Sequence, residues 1–393
     1  MKKNILVFVL AGLLFFVFGG LSKSANAQGY VKDDTWTTTR SSGVSKGGLS
    51  FSSMSLVTTP FKVGYATDVA VDSGNNIYVA DERNNRILKF SPSGALLMTL
   101  GGEEGAGNDQ FNSPYGVAVD ASGNIYVADT KNHRVQKFDS HGNYRATIGK
   151  AATIGELGVD RNELKFPSDV AVDPDGNVYV SMSSVSYPTS TTNRKFYCIK
   201  KFNPPSLVSL YSEEMAIDCV EREFPRGDPR ERVTEFRDEE FIGSGPGAIT
   251  LDSDGNIYVA TGNYIKIFGP DGDFISQQGG LPLSRGQVGK FRSIRGLDIA
   301  GDNIFITEFY FTPSPGGGTP TTDPLTYNYR FQRCNLSIVA CEAFGSGVVY
   351  GPWGIAVDSA GNVFISDAID LVKFKPFEFK FKQPPLRGYI RGG

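Results

Sequence analysis

One pattern, returning along most of the chain, constrains the fold more than any other feature. It reads DVAVDSGNNIYVAD at 68–81, GVAVDASGNIYVAD at 116–129, DVAVDPDGNVYVS at 169–181, AITLDSDGNIYVAT at 248–261 and GIAVDSAGNVFISD at 354–367. Its Asp falls at 72, 120, 173, 252 and 358, and the last interval, 106 residues, is twice the 53 between Asp120 and Asp173. A shortened copy lacking that Asp, GLDIAGDNIFITE, fills the gap at 296–308. A chain made of six copies of one short unit buries each unit's apolar face against its neighbours, so it folds as a repeat array.

The unit itself is β. V-A-V-D is a short apolar strand, x-x-G-N is turn chemistry with Gly or Asn at positive φ, and I/V-Y-V-A is the next strand, paired antiparallel across that turn. A third strand follows at RILKF (86–90), RVQKF (134–138), CIKKF (198–202), IKIF (265–268), YRFQRC (329–334) and LVKF (371–374). A fourth is suggested by ALLMTL, YRATIG and DFISQQ. Hydrophobic residues at 40% can supply a core, and 46 Gly with 28 Phe and 17 Tyr suit turns and strands rather than helices. The expected fold is all-β, a six-bladed β-propeller of four-stranded antiparallel blades.

The approach to the third strand is more specific. DERNNRILKF and DTKNHRVQKF resemble the NHL repeat, whose turn reads Asp-x-x-Asn-x-Arg/Leu-Ile/Val. The first two copies match fully, and the other four match in their first two strands only. The resemblance, over residues 61–382, implies a six-bladed ring, and it implies no single activity, since such propellers serve as adaptors, RNA binders, sensor domains and a few metal-dependent lyases.

The flanks are read separately. Lys2 and Lys3, an uncharged and mostly apolar run from Ile5 to Leu21, and Ala25-Asn26-Ala27 form the pattern of a secretory signal peptide over 1–27. The expected localisation is secreted, periplasmic or extracellular, with no membrane span after cleavage. Loss of Lys2, Lys3 and Lys23 takes Lys+Arg from 39 to 36 against 42 Asp+Glu, a mature charge of −6. That balance, without a basic cluster, disfavours a nucleic-acid partner. Residues 28–60 read as a Gly/Ser/Thr-rich spacer whose end, 49–57, could add the strand that closes the ring; FKPFEFKFK (374–382) is the other candidate. Insertions are expected at 183–193, 211–242 and 311–328, and a tail at 383–393. In an oxidising compartment four cysteines favour two disulfides, Cys198–Cys219 and Cys334–Cys341.

Site candidates follow from blade geometry. The residue before each inner-strand motif should rim one mouth of the central channel: Thr67, Tyr115, Ser168, Gly247, Arg295 and Trp353. Tyr115, Arg295 and Trp353 are the residue types of recognition surfaces, with Asp68 and Asp169 beside them. Packing between blades is the alternative role for Trp353. The ends of the second strands carry Asp81, Asp129, Glu308 and Asp367, which could hold a hard cation such as Ca²⁺. The stronger expectation is that each Asp accepts backbone N–H bonds and pairs with Arg86 or Arg134 to fix its turn. DPDGN (173–177) and DSDGN (252–256) lack the spacing of calcium loops and read as hairpin turns. With only His133 and His141 in the chain, a channel metal held by several histidines is not available, and no nucleophile or phosphate-loop motif is present. No cofactor is expected, apart from Ca²⁺ on the alternative. The expected function is an exported, non-catalytic binding or scaffold propeller that recognises a protein or glycan partner through the long-loop face. A lyase or hydrolase with a carboxylate or Ca²⁺ site over the channel is the alternative.

Overall fold

The computed structural model describes residues 28–32, 63–151, 163–188, 192–204, 212–225, 247–282, 287–291, 293–311, 327–345, 349, 351–368 and 370–378. The expected leader, the segment 49–57, the tail and most of the expected insertions lie outside them. Two compact units emerge: Tyr30–Pro376, which holds the blades, and Met1–Gly29 with Phe377–Gly393, almost all of it outside the described residues.

Six four-stranded antiparallel sheets form the blades. Blade 1 is β2 (Ala66–Val71), β3 (Ile77–Asp81), β4 (Arg86–Phe90) and β5 (Leu96–Gly101). Blade 2 is β6 (Pro114–Val119), β7 (Ile125–Asp129), β8 (Arg134–Phe138) and β9 (Tyr144–Ile148). A short parallel pair, β10 (Lys150–Ala151) and β11 (Glu163–Leu164), leads into blade 3. That blade is β12 (Pro167–Val172), β13 (Val178–Pro188), β14 (Thr192–Asn203) and β15 (Ser212–Pro225). Blade 4 is β16 (Ile249–Leu251), β17 (Ile257–Thr261), β18 (Tyr264–Phe268) and β19 (Phe274–Gly279). Blade 5 is β20 (Ile294–Ala300), β21 (Asn303–Phe311), β22 (Tyr327–Asn335) and β23 (Cys341–Phe344). Blade 6 takes β24 (Pro352–Val357), β25 (Val363–Asp367) and β26 (Asp370–Glu378) from the C-terminal side and β1 (Gln28–Lys32) as its outermost strand.

Three expectations are corrected here. The closing strand is Gln28–Lys32, at the start of the expected spacer rather than at 49–57. Phe374 to Glu378 prolongs the third strand of blade 6 instead of forming an outer one. The front of the expected 211–242 insertion, Ser212–Pro225, is the fourth strand of blade 3, paired with β14 from Thr192 to Asn203. Blade 3's insertion at 183–193 lengthens a hairpin, since β13 and β14 pair as far as Pro188 and Asn193.

The repeated motif explains itself at the hairpin between first and second strands. Asp120 Oδ1 accepts the backbone N–H groups of Ser122 and Asn124, while its Oδ2 accepts Asn124 Nδ2 and the Tyr126 hydroxyl. The same set recurs around Asp72, Asp173 and Asp252. Gly123 takes φ 78° in this turn, and in blade 1 Asn75 does the same at φ 61°. DPDGN and DSDGN are therefore hairpin turns, as their spacing implied.

The core lies between facing blades. Tyr78 and Ile87 of blade 1 pack with Val117, Ile125 and Phe138 of blade 2. Ala66, Val69 and Leu88 pack with Phe364 and Leu371 of blade 6, which closes the ring. Every residue of Ile77–Asp81 and Ile125–Asp129 is buried because a second strand has a blade on each side; each such Ile or Val contributes about 1.5–3 kcal/mol. Cys334 and Cys341 form the expected disulfide across the β22–β23 turn. Cys198 is also disulfide-bonded, and the side chain of Cys219, its expected mate, lies outside the described residues.

Candidate functional site

The rim residues owe their position to a repeated irregularity. In blades 1, 2, 3, 5 and 6 the pairing of first and second strands slips between Ala66 and Asp68, Pro114 and Val117, Pro167 and Asp169, Ile294 and Gly296, and Pro352 and Ile355. Thr67, Tyr115, Ser168, Arg295 and Trp353 sit in these bulges. A bulge leaves its extra residue outside the ladder and re-aims its side chain, so one slip per blade delivers a ring of side chains to one end of the channel.

Four large side chains meet there. The Trp353 indole from blade 6 makes edge contacts with Tyr65 of blade 1, centroids 5.9 Å apart, and with Tyr115 of blade 2, 5.7 Å apart. The Arg295 guanidinium from blade 5 lies 4.3 Å from the Trp353 ring centre, and Arg83 lies 5.5 Å from that of Tyr65. Trp353 thus reaches across the mouth to touch blades 1, 2 and 5, rather than only filling a gap between neighbours. Burial pushes the Tyr115 hydroxyl up from its ordinary pKa, opposed by Arg295, so it remains a neutral hydrogen-bonding group. Among the described residues, blades 3 and 4 add Ser168, whose hydroxyl bonds Ser181, and Gly247, which has no described neighbour within 4 Å of where a Cβ would stand. Among the described residues, the aromatic side chains at the mouth come from blades 1, 2 and 6. Tyr65, two residues before Thr67, falls outside the repeat and had no signal in it.

Asp68 and Asp169 lie one step inside the mouth, not on its rim, and Asp298 lies deeper. Asp68 Oδ2 accepts the Val117 N–H of blade 2, Asp169 Oδ2 the Ile249 N–H of blade 4, and Asp298 Oδ2 the Val357 N–H of blade 6. Each odd-numbered blade is stapled to the next one through an inner-edge N–H that no strand can pair. Hydroxyls repeat the alternation: Thr67 donates to the Tyr115 carbonyl, Ser181 to Gly247 and Thr307 to Trp353. All three carboxyls are raised by burial, Asp169 and Asp298 to about 7 and Asp68 well above the usual range with help from neighbouring Asp169. They open partly onto the lumen, but protein surrounds them and bulk hydration is lost. Asp298 escaped the sequence reading because its copy is shortened and the residue stands where Ala70, Ala118 and Ala171 stand elsewhere.

The second-strand acids do different work. Asp81 accepts the N–H groups of Gly64 and Tyr65, Asn84 Nδ2 and Arg86 Nε. Asp129 accepts the Asn112 N–H, Asn132 Nδ2, Arg134 Nε at 2.8 Å and Gln136 Nε2. Glu308 pairs with Arg330 and Gln332, and Asp367 accepts the Gly351 N–H. Asp81 and Asp129 form the expected turn clamp, and the bonds of Asp81 and Asp367 hold the segments that carry Tyr65 and Trp353 to the mouth. No group of three or more His, Cys, Asp or Glu among the described residues is placed to hold a metal ion. His133, in the left-handed region, accepts the Phe166 N–H and stacks edge-on against its ring, joining blades 2 and 3. His141 sits in an exposed turn.

This bladed architecture defines the class: a six-bladed β-propeller, with D-x-x-N-x-R clamps in its first two blades. The NHL-repeat family model matches residues 64–90 and 111–138, the two blades in which the clamp is complete. A structural-genomics protein of unknown function from Bacteroides thetaiotaomicron VPI-5482 is similar at 14% identity over 90% of this chain and 77% of that one, with a TM-score of 0.54, and shares the fold. A streptogramin B lyase structure is similar at 12% identity over 81% of this chain and 96% of that one, TM-score 0.42. Kuenenia stuttgartiensis hydrazine synthase is similar at 12% identity over 80% and 77%, TM-score 0.47. No curated protein matches the chain in sequence.

Proposed function

We propose that this chain is a non-catalytic binding propeller that recognises a protein or glycan partner through the Trp353 mouth. One observation carries the reading: Tyr65, Tyr115, Arg295 and Trp353, from four different blades, converge on one end of the channel. Aromatic and Arg side chains, half-buried and preorganised, are the anchors of recognition surfaces. The site is an exported one on this reading, in keeping with the Cys334–Cys341 disulfide and with the leader read at residues 1–27. Among the described residues no helix is long and apolar enough to cross a membrane. Binding of wild type and the Trp353→Ala/Arg295→Ala variant to a printed array of glycans and secreted proteins tests the proposal. The wild type should light a subset of spots that the variant loses, and identical profiles would remove the mouth from consideration.

The enzyme alternative draws on Asp169 and Asp298, whose pKa values, raised by burial to about 7, suit a proton donor near neutral pH, with Asp68, also raised by burial, beside Asp169. Against it, each carboxyl already accepts a backbone N–H across a blade joint, and Asp81, Asp129, Glu308 and Asp367 hold structural partners of their own. A thermal shift on adding Ca²⁺ or a chelator would favour the alternative.

A further inference from the structure

Ion pairing among the described arginines is uneven. Arg86, Arg134, Arg145, Arg330 and Arg333 each hold a carboxylate. Arg83 and Arg295 hold none among the described residues, and these two flank the mouth cluster. Arg295 rests on Trp353 and Arg83 on Tyr65, and the two rings touch each other. Glu82 acts on Tyr115 from the same end, yet it makes no ion pair with either guanidinium. Among the arginines whose side chains are described, the two without a carboxylate lie at one place, on either side of an aromatic pair. A planar guanidinium held over a ring keeps its N–H edge free for an oxyanion, and carboxylate is the partner its fork fits.

We propose that the group recognised at this mouth is an acidic sugar, a uronate chain whose carboxylates meet Arg295 and Arg83 while a sugar face lies on the Tyr65–Trp353 pair. The inference rests on the mouth being the binding face. A uronate chain carries one carboxylate per ring beside a C–H face, which matches cation, aromatic pair, cation in order. An acidic peptide offers the charges without the rigid apolar face between them.

Titration calorimetry of the full chain with tetragalacturonate, its methyl ester and tetraglutamate tests it. The acid should bind, and it should weaken as salt rises. The ester should bind at least about tenfold more weakly, and Arg295→Gln and Arg83→Gln should each weaken the acid about tenfold. Arg295→Lys keeps the charge and should retain more affinity than Arg295→Gln at an unchanged melting temperature, which separates recognition from misfolding. Absence of sugar binding, or tighter binding of tetraglutamate than of tetragalacturonate, would overturn the uronate inference. An ester that binds as tightly as the acid, and loses binding in Trp353→Ala, would overturn it too while leaving the mouth as the binding face.

Discussion

The turn around Asp129 and the channel around Asp68 both bury a carboxyl, and they give it opposite kinds of partner. At Asp129 a guanidinium sits 2.8 Å away and amide donors occupy the remaining lone pairs. At Asp68 the neighbours are a backbone N–H and another acid, Asp169, and the carboxyl is driven toward its neutral form. Burial raises a carboxyl, and hydrogen bonds or a cation beside it oppose the rise. The difference marks two tasks. The Arg-paired acids fix turns within a blade, and the channel acids join one blade to the next.

Removing the charged partner should cost most. Asp129→Ala strands Arg134 and the Asn112 N–H, and should destabilise by about 3–5 kcal/mol in a denaturant titration; a loss below about 1 kcal/mol would show that the clamp is not where the blade's stability lies. The channel should answer next, through sterics. A Cβ on Gly354 would come within 2.7 Å of the Asp68 Cα and 2.3 Å of its Oδ1, leaving no room beside the carboxyl. Gly354→Ala should cost about 1–3 kcal/mol, and Gly354→Ala combined with Asp68→Gly should recover part of it, as expected if the two residues compete for one space.

A pH titration should separate the two acid sets most cleanly. Asp169 and Asp298 have pKa values of about 7 when folded, against 3.8 ordinarily. The folded state therefore binds their protons more tightly than the unfolded chain. That stabilisation is complete below about pH 4 and is lost as pH rises through 7. Melting temperature should fall between pH 5 and pH 8, and the Asp169→Asn/Asp298→Asn variant should flatten that slope. An equal slope in the variant would place the proton uptake elsewhere.

Most of the fold was legible because each blade repeats a local rule. The x-x-G-N turn, the buried I-Y-V strand and the D-x-x-N-x-R clamp each act within about twenty residues, so spacing alone revealed six units. The rim was legible for the same reason: Tyr115, Arg295 and Trp353 occupy one repeat position. What failed was whatever depends on partners far along the chain. Gln28–Lys32 closes blade 6 with a partner more than three hundred residues away, and no local pattern in QGYVK distinguishes it from the spacer. Ser212–Pro225 was hidden by its charge, since an outer strand needs no apolar face.

The sequence by itself determined the six-fold repetition, the strand order within a blade and the residue types at the mouth, because these follow from period, turn chemistry and position in the copy. Only the tertiary structure decided which of those residues meet. Ring closure puts blades 5, 6, 1 and 2 around one opening, so that Trp353 reaches Arg295, Tyr65 and Tyr115. The same closure crowds Asp68 against Asp169 and strips bulk hydration from both, and that burial raises the two carboxyls.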